Sequence, residues 1–302
     1  QTTTAHISPK SLTVSGNTAS NKTYDSNSSA TVTVTLSGFV GSETLTYTNS
    51  SSFNNKNVGT GKTVTVDSIT LADGNNGGLA SNYSVTPGQT TTANITAKSL
   101  TVSGIIASSK TYDGSASATL DTSSVLYSGI ISGDTFTGSY TGAFSNANVG
   151  TGKTVTITSS YSGADTGNYS VTDQSSTTAD ISAKALTATA SVSNKTYDAT
   201  SSATATLTLS GLVGSETLGT TNASTFNNKN VGTGKTVTVN SITLADGTNG
   251  GLAANYSISA GQTTTANITA KSLTVSGITA SNKIYDGNGV ATLDASSVAY
   301  SG

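Results

Sequence analysis

Apolar and polar residues alternate along most of the chain with a period of two, which is typical of strands that bury one face and expose the other. In residues 31–37 (TVTVTLS), Val32, Val34 and Leu36 fall on one side and threonines on the other. Turn-rich stretches such as 72–78 (ADGNNGG) separate these runs, and no stretch has a helical period. The pattern predicts about six or seven short antiparallel strands in each segment of fewer than ~90 residues.

One short motif, lysine followed by threonine or isoleucine, tyrosine and aspartate, occurs four times, with its tyrosines 85 to 88 residues apart. It is either a ligand site copied into every repeat or a structural turn between the first two strands. The turn is the better interpretation, because every repeat needs such a corner. The tyrosine would pack inward, and the aspartate would accept backbone N–H groups. The residues of this predicted structural turn motif are Lys22, Tyr24, Asp25, Lys110, Tyr112, Asp113, Lys195, Tyr197, Asp198, Lys283, Tyr285 and Asp286.

Two further markers recur in the same order in each repeat. They are NVGTGKTVT at 57–65, 148–156 and 230–238, and NYS at 82–84, 168–170 and 255–257. The first and third repeats share VGSETL, whereas the second has SGDTF in the corresponding stretch, so two module types, A and B, alternate. The predicted boundaries are 1–8 for the final strand of a preceding module, 9–96 for a type A module, 97–182 for type B, 183–269 for type A and 270–302 for an incomplete type B module.

The length of the repeat predicts the fold class. A period of about 87 residues is too long for a solenoid and suits a small independent β domain. We predict an all-β chain of tandem immunoglobulin-like β-sandwich modules, with a small barrel as the alternative. Because about two residues connect the last strand of one module to the first strand of the next, an extended rod is expected.

Composition narrows the possible functions. The chain has 13 lysines, no arginine and 15 acidic residues, which argues against a nucleic-acid partner. It has no cysteine and a single histidine, His6, so catalysis, a cofactor and a metal centre all lack their usual residues. No apolar run is long enough to insert into a membrane, and no signal peptide is present, so an exported protein would contain this segment as an internal piece.

Several peptides suggest other chemistry. GTGKT at 59–63 is similar to a phosphate-binding loop, but it lacks the earlier glycine and the following helix, so a Gly-rich hairpin turn is expected. The turn around Asp73 could hold Ca²⁺, although it offers one carboxylate. Lys22 or Lys62 could form a covalent Lys–Asn crosslink with Asn57. The Thr-x-Thr runs could bind ice, and N-x-S/T triplets could be glycosylated, but both also arise in any Thr-rich strand.

Taken together, KTYDG, NVGTGKTVT and NYSV resemble the YDG-type repeats of large bacterial surface adhesins, many of which are similar to filamentous haemagglutinins secreted by the two-partner route. The resemblance covers every module. It implies an extracellular or cell-surface stalk or fibre segment that holds a distal binding region away from the cell. The alternative is that the modules themselves bind glycans or self-associate into surface or biofilm-matrix filaments. Expected partners are therefore neighbouring modules, other copies of the fibre, or host and surface glycans.

Overall fold

The computed structural model describes all 302 residues and contains β-strands and short 3₁₀ turns but no α-helix. Strands account for 54% of the residues, more than twice the share in an average domain, and the sheets are curled into half-barrels. The predicted all-β class is therefore confirmed. None of the helical turns has the length and apolar content that a membrane-crossing helix requires.

The first repeat contains seven strands. They are β1 (Lys10–Ala19), β2 (Lys22–Thr23), β3 (Val32–Ser37), β4 (Thr46–Phe53), β5 (Gly59–Ala72), β6 (Tyr83–Val85) and β7 (Thr90–Thr96). The third repeat follows the same plan with β18 (Lys184–Val192), β19 (Lys195–Thr196), β20 (Ser202–Ala203), β21 (Ala205–Ser210), β22 (Leu218–Phe226), β23 (Gly232–Asp246), β24 (Tyr256–Ile258) and β25 (Thr263–Thr269).

The second repeat and the last residues complete the strands. The second repeat has β8 (Lys98–Ser103), β9 (Ile106–Ala107), β10 (Lys110–Thr111), β11 (Ser117–Ala118), β12 (Leu120–Asp121), β13 (Leu126–Ser128), β14 (Thr137–Phe144), β15 (Gly150–Ser162), β16 (Tyr169–Thr172) and β17 (Ser176–Ser182). Residues 270–302 contain β26 (Thr274–Ser276), β27 (Thr279–Ala280), β28 (Leu293–Asp294) and β29 (Ala299–Ser301). The 3₁₀ turns are Ala80–Asn82, Thr166–Asn168 and Ala253–Asn255, each just before a repeated tyrosine.

By compactness the chain divides into two units. One comprises Gln1–Ser108, Ser117–Ser145 and Thr154–Ala179; the other comprises Ser109–Ala116, Asn146–Lys153 and Asp180–Gly302. Each unit contains one complete contact between consecutive repeats.

Two sheets form the first repeat, with strand orders β3-β1-β6 and β2-β7-β5-β4. Two of the pairings are parallel: β1 runs parallel to β6 and β2 runs parallel to β7. The prediction of six or seven antiparallel strands is therefore wrong about the direction of these two pairs, whereas the other pairings of the repeat are antiparallel. Alternation of side chains reports which face is buried, but it carries no information on the direction of the neighbouring strand.

The inward positions of the two sheets share one apolar core in the first repeat. Val34 of β3, Val64 of β5 and Ile95 of β7 are buried and belong to one cluster. In the third repeat Phe226, Val237 and Ile268 form the corresponding buried cluster. Of the inward positions predicted in 31–37, Val32 and Val34 are buried and Leu36 is half-buried, as expected when a strand turns alternate side chains to the core.

Two local predictions differ from the structure. Residues 1–9 form no strand, so the closing strand expected at 1–8 is not observed. The GTGKT peptide is not a hairpin turn either. It lies at the start of the long strand β5, where the pairing with β7 shifts register between Gly59 and Lys62. Gly61 there has a φ of +58° and its N–H bonds to Asn94 Oδ1, so the glycine serves a β-bulge.

Candidate functional site

The K-T-Y-D peptide forms a self-contained corner. Lys22 Nζ lies 2.7 Å from Asp25 Oδ1 and 2.9 Å from the carbonyl oxygen of Asn27, while the N–H of Asn27 donates to Asp25 Oδ1 at 3.2 Å. The aspartate therefore closes the turn on both sides with charge-assisted hydrogen bonds. The equivalent ion pairs are Lys110–Asp113, Lys195–Asp198 and Lys283–Asp286.

The residue after the aspartate has a left-handed backbone in all four copies. Its φ is 66° at Ser26, 77° at Gly114, 65° at Ala199 and 75° at Gly287. Glycine adopts this conformation without strain, whereas serine and alanine pay a steric cost of about 1 kcal/mol. The corner thus holds its shape whether or not glycine is present.

The tyrosine of the corner reaches beyond its own repeat. Tyr24 is 1% exposed, and its ring meets that of Tyr169 in the second repeat edge to face, with centroids 5.6 Å apart. Its hydroxyl lies 3.4 Å from Asp165 Oδ1, also in the second repeat. The corner is therefore one side of a contact between repeats, which we call a joint.

A lysine and two carboxylates from opposite sides of this first joint form an ion-pair cluster. Lys56 Nζ lies 2.9 Å from Asp165 Oδ1 and 3.6 Å from Asp134 Oδ1. The side chains of the two aspartates are only 11% and 2% exposed. Ser26 Oγ donates to Asp134 Oδ1 at 2.9 Å, and the Tyr169 hydroxyl donates to Asp134 Oδ2 at 2.5 Å. The carboxylates are thus shielded from water and fully engaged.

An asparagine side chain completes the first joint. The N–H of Val58 in the NVG loop donates to Asn168 Oδ1 at 2.9 Å, and Asn168 Nδ2 lies 3.3 Å from Asn57 Oδ1. We call the first-repeat side of the joint, Tyr24, Ser26, Lys56 and Val58, the corner face. We call the second-repeat side, Asp134, Asp165, Asn168 and Tyr169, the turn face.

The second joint repeats this geometry between the second and third repeats. The rings of Tyr112 and Tyr256 meet edge to face at 5.4 Å. The N–H of Val149 donates to Asn255 Oδ1 at 2.9 Å. Glu216 accepts hydrogen bonds from both tyrosine hydroxyls at 2.7 Å. The same tyrosine and asparagine contacts are therefore used twice, although the charged groups differ.

Burial of the NYS asparagine depends on the joint. Asn168 and Asn255, which receive an N–H from the preceding repeat, are 4% and 1% exposed. Asn82 occupies the same place in the first repeat, has no preceding NVG loop against it, and is exposed. The asparagine therefore serves the contact between repeats rather than the fold of its own repeat.

The corner tyrosines show the same dependence. Tyr24 and Tyr112, which have a turn face opposite them, are 1% and 4% exposed. Tyr197 is only half-buried, and Tyr285, in the last motif, is 94% exposed. The corner tyrosine is therefore almost fully buried where a turn face packs against its ring, as at Tyr24 and Tyr112.

The charges of the first joint stabilise one another. The hydrogen bond with Asp165 raises the pKa of Lys56 above its ordinary range. The pKa of Asp165 is lowered by the N–H of Thr135 and by Lys56. Although burial acts to raise the pKa of Asp134, hydrogen bonds from Tyr169 and Ser26 hold it below its usual value. All three groups are therefore charged at neutral pH.

The tyrosines of both joints are held neutral. Burial, followed by the neighbouring Glu216, raises the pKa of Tyr112 to about 12. Burial and Asp134 raise the pKa of Tyr169 to about 12 as well. A tyrosine that donates to a carboxylate must keep its proton, so both hydroxyls act as donors over the whole physiological range.

The structure also places the residues of the other suggested sites. Asp73 Oδ1 accepts the N–H of Ala80 at 2.8 Å and so supports a 3₁₀ turn, and no group of three or more potential metal-ligating side chains occurs. Lys62 Nζ bonds to Asn55 Oδ1 at 2.7 Å, not to Asn57. Lys153 and Lys235 repeat this contact with Asn146 and Asn228.

Sequence reasoning missed most of the joint. It identified the corner residues as a turn, and it used NVG and NYS as repeat markers, without connecting the three. Lys56, Asp134 and Asp165 were not singled out as a site. The signal that could have found them is the fixed order of three markers in every repeat, together with the change from lysine at 56 and 229 to alanine at 147 immediately before one of those markers.

These contacts define a class of protein: tandem all-β repeats joined by a recurrent interface. A family model for the YDG domain matches residues 8–93, 96–179 and 182–266, which is most of the chain. The chain therefore belongs to the YDG domain family, in three tandem copies. A search of the curated proteins finds no match to this chain.

The family match corrects the resemblance drawn from the motifs. The matched domain is known as the SRA/YDG DNA-binding domain and not as a bacterial adhesin repeat. The assignment to repeats of filamentous-haemagglutinin-like, two-partner-secreted adhesins is therefore wrong. The motifs KTYDG, NVG and NYS form a corner and a joint. Neither feature depends on what the whole protein binds, so the motifs alone could not distinguish the two families.

Proposed function

We propose that this chain is a structural spacer, a stalk or fibre segment that sets the distance between other parts of an extracellular or cell-surface protein. The observation that carries the proposal is the recurrence of one joint at both contacts between complete repeats. Tyr24 with Tyr169 and Tyr112 with Tyr256 use the same ring geometry. A protein that needed only independent domains would have no reason to build this interface twice.

Short connections support the same role. One residue, Ala97, separates β7 from β8, and Ala183 alone separates β17 from β18. With no flexible linker, the buried contacts at each joint restrict bending between neighbours. The proposal includes the finer fold predicted from the sequence: each repeat is an immunoglobulin-like β-sandwich, and the repeats follow one another as an extended rod.

The repeats could instead bind a ligand themselves. Glycan binding or self-association would use loops or sheet edges rather than the joint, and strands β3 and β6 are edge strands of their sheet. No cluster of side chains distinguishes those edges in the way that the joint residues are distinguished. The spacer role is therefore the better-supported proposal, and it includes no catalytic step.

DNA binding is the rival that the family match raises, because the SRA/YDG domain is known for it. The side chains of this chain do not favour it. There is no arginine, the residue most suited to phosphate and guanine. Four of the 13 lysines are neutralised within the corners and a fifth, Lys56, within the first joint. Acidic residues outnumber basic ones, so the net charge of the chain opposes rather than favours association with a polyanion.

Small-angle X-ray scattering of the 302-residue protein tests the spacer role. Three repeats in line require a maximum dimension above about 100 Å, from strands of seven or eight residues at ~3.3 Å each plus loops and joints. The joint variant Asn168→Ala should broaden the distance distribution at unchanged strand content, whereas Asn82→Ala should not. A compact particle, or identical curves for the two variants, would contradict the proposal.

A further inference from the structure

The two joints differ at matched positions, although their tyrosine and asparagine contacts are the same. In the first joint Lys56 faces Asp165. Sequence alignment of the repeats places Ala147 where Lys56 stands and Leu252 where Asp165 stands. A charged pair in the joint from type A to type B is therefore replaced by an apolar pair in the joint from type B to type A.

A type B turn face needs a lysine opposite it. Asp134 and Asp165 are almost completely shielded from water and share one lysine. Without that cation two neighbouring carboxylates would repel each other as well as lose their hydration, unlike the single Glu216 of the second joint. The corner face of a type A repeat supplies the cation through Lys56. A type B corner face has Ala147 at that position, so two type B repeats in succession would leave both carboxylates without a cation.

The type B corner face is shaped for a type A turn face instead. A Cβ atom at Gly114 would lie 2.9 Å from Val213 Cγ1 of the third repeat, closer than such atoms come. The first joint has Ser26 at the position of Gly114, and there the serine hydroxyl is used to bond Asp134. A corner face that carries serine and lysine would therefore meet steric and polar mismatch on a type A turn face.

We propose that these positions determine which repeat type can follow which, and that the corner face of the third repeat is a docking surface for a type B turn face. Lys229 occupies the position of Lys56, is exposed and forms no ion pair. Val231, at the position of Val58, is 53% exposed. Together with the half-buried Tyr197 they present the same three groups that the first joint covers.

The surface beside Tyr197 is lined by residues equivalent to those that are covered in the first joint. A groove there is bordered by Tyr197, Val231, Leu273 and Gly302. The corresponding residues of the first joint are Tyr24, Val58, Leu100 and Gly129, and Ile131 and Tyr169 of the type B repeat pack into the same apolar cluster.

The chain itself indicates the occupant. Residues 292–302 (TLDASSVAYSG) are nearly identical to 119–129 (TLDTSSVLYSG) of the type B repeat. The occupant is therefore the turn face of a type B repeat, with its two carboxylates on Lys229. This inference rests on the proposed spacer function, because in a spacer the order of the repeat types determines which joints can form.

The first experiment compares two lysines in the 302-residue protein by amide hydrogen exchange. Lys56→Ala should accelerate exchange of the Val58 N–H about tenfold while Val149, in the other joint, is unchanged. Lys229→Ala, the matched control, should change neither amide. Adding Asp165→Asn to Lys56→Ala should recover most of the protection, because it removes the carboxylate that has lost its cation. Equal effects of the two lysines, or no recovery, would overturn the proposal.

The second experiment adds the turn face of a type B repeat to the chain. A protein extended after Gly302 by a copy of residues 130–182 carries a complete fourth repeat of type B sequence. The Val231 N–H should then exchange at least about tenfold more slowly than in the 302-residue protein. Lys229→Ala should abolish most of this added protection. Replacing the appended copies of Asp134 and Asp165 by asparagine should have the same effect. Val231 exchange that stays fast while circular dichroism shows the added strands folded would overturn the docking surface. Since these readouts are local, they are independent of the particle length that tests the spacer role.

Discussion

The ring of Tyr24 in the first repeat meets the ring of Tyr169 in the second edge to face, at a centroid distance of 5.6 Å and an interplanar angle of 77°. Tyr112 and Tyr256 reproduce this arrangement at 5.4 Å and 78° in the next joint. Edge-to-face pairs add about 0.5–1.5 kcal/mol to the burial of their rings. The corner tyrosines Tyr24 and Tyr112 therefore also belong to the interface between repeats.

Loss of the NYS asparagine should weaken its joint selectively. Asn168→Ala leaves the partly buried N–H of Val58 without its acceptor, which costs about 1–3 kcal/mol. Asn82→Ala removes an exposed side chain and should change the free energy of unfolding by less than about 0.5 kcal/mol. Urea unfolding followed by circular dichroism gives both values. A similar loss in the two variants would mean that the asparagine serves the fold of its own repeat.

Acid should loosen the first joint. The pKa values of Asp134 and Asp165 are below the ordinary value of 3.8 in the folded protein. A carboxyl group with a lowered folded pKa contributes stability above its unfolded pKa and loses it as the pH falls through the folded pKa. Exchange protection of Val58, corrected for the intrinsic rate, should therefore be constant from pH 7 to about 5 and decline below about pH 4. Protection that persists at pH 2 would contradict the charged joint.

Alkali should release tyrosines from both joints. The pKa values of Tyr112 and Tyr169 are raised from 10.0 to about 12. A raised folded pKa means that the stabilising contribution is complete below pH 10 and is lost between pH 10 and about 12. Titration of the tyrosine ring carbons by NMR should show these two residues ionising about two pH units later than a free tyrosine. Ionisation of Tyr112 near pH 10 would show that its ring is not buried by the third repeat.

Glycine at the corner should have opposite effects in two repeats. Ala199→Gly relieves a φ of 65° and should raise the free energy of unfolding by about 0.5–1 kcal/mol. Gly114→Ala imposes the same strain at a φ of 77° and brings a Cβ to 2.9 Å from Val213, so it should destabilise the second joint by more than that gain. Thermal unfolding of the two variants beside the parent protein measures both changes. A destabilised Ala199→Gly would show that the corner does not store this strain.

Duplex DNA should not bind this protein. With no arginine and more acids than lysines, the net charge does not favour the release of counterions from a phosphate backbone. An electrophoretic mobility assay at about 0.15 M salt should show no shift up to about 100 μM protein, the weak end of ordinary non-specific binding. A shift that weakens steeply with added salt would instead favour the function for which the SRA/YDG domain is known.

The sequence by itself determined the class of the fold, the repeat and the buried face of each strand. Val34, Val64 and Ile95 are inward because a strand alternates its side chains, and that period is written in the residue order. It also placed Asp25 in a turn, since the lysine, aspartate and backbone groups that close the corner lie within a few residues of one another.

Only the tertiary structure decided strand direction and the joint. The parallel pairing of β1 with β6 joins segments far apart in the chain, and no local pattern encodes it. Lys56 meets Asp165 for the same reason: the two residues belong to different repeats, and only docking of the folded surfaces brings them within 2.9 Å. The sequence shows which residues these are, but not that they form an ion pair. A contact between residues far apart in the chain depends on how the folded repeats pack, and the spacing of residues along the chain does not determine that packing.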